Sequence, residues 1–98
     1  MTSYIDHLRE HWRITILRVL EQAPGYRGND SVLHQALHAM GHVTTRDQVK
    51  SELTWLQGQG YITVETMGSL MVATITDRGR DVALGNEIVP GVKRPGPN

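Results

Sequence analysis

The sequence predicts a mostly α, α+β fold, a winged helix-turn-helix: a three-helix core, a two-stranded β-wing and a short C-terminal helix over residues 1–85. Residues 86–98 are expected to form a Pro/Gly-rich C-terminal tail or arm. Three observations lead there. Three segments repeat their apolar residues with helical period. The second and third are separated only by the brief Gly41-His42-Val43 turn. Directly after the third, the period changes from 3.6 to 2, as a β-hairpin requires.

The first helix is expected over Tyr4–Gln22, capped by Thr2 or Ser3, with no Gly or Pro before Pro24. One stripe of it carries Arg13, Ile16, Leu17 and Leu20, and an adjacent stripe carries Ile5, Leu8, Trp12 and Val19. So wide an apolar arc fits a central helix buried on several sides. It equally fits a helix whose Ile5, Leu8 and Trp12 edge meets a second subunit, and a homodimer is expected on that ground. Ala23 to Asn29 (APGYRGN) is broken by Pro24, Gly25 and Gly28 and is expected to be a loop.

Asn29 or Asp30 then caps a second helix over residues 31–40, with Val32, Leu33, Ala36, Leu37 and Met40 inward and Gly41 as its stop. Thr44-Thr45-Arg46-Asp47 has the form of a capping box and opens a third helix, residues 44–57, that buries Val49, Leu53 and Leu56. Residues 61–66 and 70–75 alternate and flank the turn Met67-Gly68-Ser69. Thr76 or Asp77 caps the last helix, which Gly85 closes. Beyond it, Pro90, Pro95 and Pro97 point to an extended segment outside the core. There is no internal repeat.

Composition narrows the function classes. Ninety-eight residues hold one hydrophobic core, and the absence of Phe places that core on Leu, Ile, Val, Met and two Trp. With no Cys, disulfides, thiolate metal sites and cysteine nucleophiles are excluded. No apolar run approaches the roughly 20 residues of a membrane helix, and no basic segment leads into an apolar signal core. A soluble, cytoplasmic protein without membrane association is the expectation. Lys+Arg 10 balances Asp+Glu 10, so any attraction to phosphate has to come from a local patch.

Several segments resemble bacterial winged-helix regulators of the ArsR/MarR type. They are Ile16-Leu17-Arg18-Val19-Leu20, the run from Val49 to Leu56 into Gly60-Tyr61-Ile62, and Ile75-Thr76-Asp77-Arg78-Gly79-Arg80, which matches the "LT-x-x-G" exit of the wing. Nearly the whole chain is similar to a family of small Mu-like prophage proteins often labelled winged-helix or ArsR-like. That match rests on APGYRGN, Leu53-Thr54-Trp55-Leu56, GRDVALG and VPGVKRP. The resemblance implies a phage- or prophage-encoded transcriptional regulator. Two departures limit what it implies: only a short helix and a Pro-rich segment follow the wing, and a Cys-free chain has no counterpart of the thiolate metal-sensing sites.

If the domain binds double-stranded DNA, the third helix enters the major groove and offers Thr44, Thr45, Arg46, Gln48, Lys50, Ser51 and Thr54. Hydroxyls and a helix N-terminus suit phosphate, while Arg and Gln suit guanine and adenine edges. The wing argues the other way, because no Lys or Arg lies between Thr63 and Thr74. Met67, Ser69, Leu70 and Met71 near its tip suit a protein partner from phage or host, with Lys93 and Arg94 as an alternative basic arm.

His7/His11 and His34/His38 have the i,i+4 spacing of zinc ligands, but nothing at a suitable spacing completes either pair. Surface or interface histidines are the stronger reading, with no metal and no cofactor. Gly58-Gln59-Gly60 is too short for a phosphate loop and precedes a strand, and no nucleophile–base set stands out, so an enzyme is not expected. Trp12 and Trp55 are read as packing residues.

Overall fold

The computed structural model describes residues 3–96; Thr2, Pro97 and Asn98 lie outside them. Four helices and a three-stranded antiparallel sheet follow one another as α1 (Tyr4–Gln22), β1 (Arg27–Asn29), α2 (Asp30–Ala39), α3 (Arg46–Gly58), β2 (Ile62–Met67), β3 (Leu70–Ile75) and α4 (Asp77–Leu84). The fold is a small, mostly helical α+β arrangement.

Each helix starts on a side-chain cap. Ser3 accepts from the Asp6 amide and Asp6 returns the bond, closing a capping box on α1. Asn29 accepts from Val32 N at 2.9 Å to open α2. Thr76 accepts from Gly79 N to open α4, and its hydroxyl donates to the Gly60 carbonyl at 2.8 Å.

The cap of α3 falls one residue later than the sequence suggests, and the helix itself runs from Arg46 to Gly58. Thr45, not Thr44, is its cap, boxed with Gln48 in place of Asp47 (2.8 and 3.0 Å). Thr44 is drawn inward instead, because its carbonyl accepts from His34 Nε2 at 2.7 Å. Two overlapping box patterns compete here, and this tertiary bond selects one.

β2 and β3 form the expected hairpin, in register from Ile62↔Ile75 to Met67↔Leu70. The expected loop does not stay a loop. After a single 3-10 turn over Pro24–Tyr26, Arg27-Gly28-Asn29 extends and pairs with the far edge of β3, giving the sheet order β1-β3-β2. The two-stranded expectation is therefore corrected to three strands. Pairing with β3 satisfies the main-chain groups of β1 on that side, although its residues carry little strand propensity.

The core is built from Trp12, Ile16, Leu17 and Leu20 of α1, Leu33 and Leu37 of α2, Val49, Leu53 and Leu56 of α3, Ile62, Ala73 and Ile75 of the sheet, and Val82 of α4. Two residues expected in it are outside: Val32 is 51% exposed and Met40 59%. The inward stripe of α2 is Asp30, Leu33 and Leu37. Val32 lies about 100° round from Leu33, and Met40 is the C-terminal cap residue beyond the last turn.

Trp12 is 4% exposed inside one chain, so it is a core residue and not the expected contact for a second subunit. Of its two proposed companions, Leu8 is half-buried against the core and Ile5 is exposed. Trp12 is buried because α1 is a central helix, the first of the two accounts its wide apolar arc allowed.

The C-terminal segment also departs from expectation. Residues 86–96 form a strap whose Val89 and Val92 join the core. Arg13 Nη1 donates to the Gly91 carbonyl at 2.9 Å, and Lys93 N donates to Glu10 O at 3.2 Å. Gly91 has φ +85, and a Cβ there would sit 2.7 Å from the Trp55 ring. Only glycine fits both the backbone and the close approach. Arg13 lies 3.9 Å over the Trp55 ring centroid and pairs with buried Glu52 at 2.6 Å, so one guanidinium ties together α1, α3 and the strap.

Candidate nucleic-acid interface

The outer face of α3 carries the residues singled out from the sequence, but they do different work. Thr45, Arg46, Gln48, Ser51 and Thr54 are exposed along it. Thr44 is buried and off the face. Thr45 and Gln48 are occupied with each other at the cap. The Thr54 hydroxyl donates back to the Lys50 carbonyl at 3.0 Å, a common resting bond for a mid-helix threonine.

Arg46 and Lys50 converge on Asp30, one of the two residues expected to cap α2. Asp30 is fully buried at the start of α2. Its Oδ2 accepts from Arg46 Nη2 at 2.9 Å and lies 3.8 Å from Lys50 Nζ, while Oδ1 accepts from Met71 N at 3.0 Å. Burial presses its carboxyl toward the neutral form, but the Met71 amide and Arg46 outweigh burial and hold it below the ordinary value. The sequence did hold a signal: Asp30 stands three and seven residues before Leu33 and Leu37, on the inward stripe.

Lys50 also donates to the Ser69 carbonyl at 3.0 Å, which braces the hairpin turn against α3. On the hairpin itself Met67 is exposed and Leu70 and Met71 are half-buried. Glu65 lies 3.7 Å from Arg27 of β1. Lys93 and Arg94 are exposed on the strap, where Lys93 is held by its main chain to α1.

The histidine pairs separate. His34 is committed to the Thr44 carbonyl and His38 is exposed. His11 on α1 faces His42 of the α2–α3 turn with ring centroids 6.1 Å apart, and His42 Nε2 is 3.5 Å from Thr15 Oγ1. Among the described residues no three His, Cys, Asp or Glu are grouped to hold a metal ion. None of the described helices is long and apolar enough to cross a membrane.

Burial, together with the nearby charges of Lys93, His42 and His7, lowers the His11 pKa below 6.5, against the opposing pull of Glu10. The sign follows directly. Below 6.5 the unfolded chain takes up this proton more readily than the folded one, so the folded state loses stability as pH falls. The urea midpoint is expected to decrease between about pH 7.5 and pH 5.5. His11→Gln should flatten that slope; an unchanged slope would assign it to another group.

Two relatives place the chain. Over 92 residues it is 44% identical to the uncharacterized protein gp26 of Escherichia phage Mu, covering 94% of this chain and 95% of that protein. Over 77 residues it is 39% identical to an uncharacterized protein of Haemophilus influenzae, covering 78% of this chain and 74% of the relative. No family model matches. Near full-length identity at this level makes the chain a member of the family of phage Mu gp26.

Proposed function

We propose that this chain is a winged-helix protein that binds double-stranded DNA with α3 as its recognition helix, and that it serves as a phage-encoded transcriptional regulator. The observation that carries this reading is the placement of α3. It presents a polar outer face that starts at a boxed N-terminus and is braced by Lys50 against the β2–β3 turn. The order helix, strand, helix, helix, hairpin, with the first strand on the outer edge of the hairpin, supports the winged-helix assignment. Kinship with a phage Mu protein supports the phage setting. Ile5 and Leu8 remain the proposed dimer contacts, without Trp12.

The test is fluorescence anisotropy of a labelled random-sequence duplex at low and moderate salt. Micromolar-range binding that weakens steeply with salt is expected. Arg46→Ala should weaken it and lower the salt slope by about 0.9, the share of one phosphate contact, or by less where Arg46 contacts a base.

A second reading, docking of a phage or host protein without DNA contact, is favoured by the pairing of both α3 cations with Asp30 and by exposed Met67 on a hairpin bearing Glu65. Absence of duplex binding at low salt would overturn the first reading and leave this one.

A further inference from the structure

Asp30 brings α2, α3 and β3 to one buried carboxylate. A buried charge is costly unless it is paired and hydrogen-bonded. Here the pairing is met by Arg46 and Lys50, and the hydrogen bonding by the Met71 amide and Arg46. The two cations are not equivalent. Lys50 is spent inward, on the Ser69 carbonyl and on Asp30. Arg46 gives Asp30 one of the five N–H donors of its fork and keeps a side chain 43% exposed at the first turn of α3.

Asp30 offsets one of the two cations, so a phosphate oxygen approaching Arg46 meets a cluster of net charge +1 and not +2, whereas the neutral O6 and N7 of guanine lose less from that offset and gain from a fixed fork. Asp30 cannot swing aside for a phosphate, because it is fully buried and held by the Met71 main chain.

We propose that Asp30 is a positioning residue for base recognition: it fixes the Arg46 fork toward a guanine edge and, through Lys50–Ser69 and Met71, sets the angle of the hairpin to α3. The proposal rests on the DNA reading above. It divides the work among residues that the sequence alone made equivalent, with Arg46 reading and Lys50 bracing.

The experiment selects a preferred duplex from a random library with the wild-type protein. It then compares affinity for that site and for random duplex in Asp30→Asn. Asparagine keeps an oxygen for the Met71 amide and removes the charge. The proposal expects preference for the selected site to fall about tenfold, the scale of one bidentate arginine–guanine pair. Binding to random duplex should hold or tighten, because one negative charge is gone. A purely structural role would weaken both duplexes together.

Arg46→Lys keeps the charge and loses the fork. It should likewise lose preference, read as the ratio of the two affinities, and it tests the need for the Arg46 fork if Asp30→Asn does not fold. Preference that survives in a folded Asp30→Asn protein, or in Arg46→Lys, overturns the proposal while leaving DNA binding intact. A wild-type protein that binds DNA without preference also overturns it. A wild-type protein that binds no duplex overturns the DNA reading and this proposal with it.

Discussion

Gly79→Ala is expected to lower stability by about 3 kcal/mol, the upper end of the usual cost of overpacking a core. Gly79 is buried in the first turn of α4, and a Cβ there would fall inside contact distance of the Tyr61 carbonyl oxygen and 2.8 Å from Ile75 Cγ1. The Tyr61 oxygen cannot retreat freely, because it accepts from Thr76 N at 3.0 Å. That bond joins the start of β2 to the end of β3 just before α4 begins. Flexible side chains absorb overpacking, but a main-chain oxygen in a hydrogen bond does not. Thermal unfolding followed by circular dichroism should show the melting temperature lowered by about 12–24 °C, at the 4–8 °C per kcal/mol typical of this size. A loss of only a degree or two would mean that α4 is free to slide outward. The same contact explains the glycine of the T-x-x-G exit after the hairpin: it lets the helix pass against the strand backbone.

Arg13→Ala should cost about 3–5 kcal/mol, the usual cost of removing one partner of a buried ion pair. Glu52 is almost fully buried, and Arg13 is its near partner at 2.6 Å; Arg9, at 3.8 Å and half exposed, recovers part of the loss. The same change removes the donor to Gly91 O and the cation over Trp55. The strap should therefore loosen before the rest of the fold. Urea unfolding reports the first effect. Amide exchange reports the second, as lost protection at Lys93, whose N–H is bonded to Glu10 O. Arg13→Met combined with Glu52→Leu should regain much of the stability, since apolar replacement of a whole buried pair is often neutral. Strap protection should not return, because no donor to Gly91 is restored.

The parts of this fold that were legible in the sequence are those where local chemistry and tertiary structure agree. The β2–β3 hairpin alternates cleanly around a glycine turn, and Val49, Leu53 and Leu56 lie on one side of α3. β1 was not legible, because Arg27-Gly28-Asn29 has neither alternation nor strand propensity and is a strand only by pairing with β3. The strap was hidden by composition. Prolines and glycines read as a tail, yet Val89 and Val92 are buried and Gly91 is the residue that lets the chain pass Trp55.

At the site, Arg46 and Lys50 could be placed on α3 from spacing alone. Their common partner could not, because Asp30 comes from another helix and stands next to Asn29, an equally good cap. Trp12 shows the same limit from the other side. A helical wheel gives its direction on α1 but not what the rest of the chain packs over it.

Amide-resolved NMR titration of the protein with a duplex tests most directly whether α3 is the face that meets DNA. Chemical-shift changes are expected to concentrate over residues 45–54 and to reach the turn at residues 66–70 through the Lys50–Ser69 bond, fading as salt is raised. Changes centred on α1 or on the strap, or none at low salt, would contradict this reading.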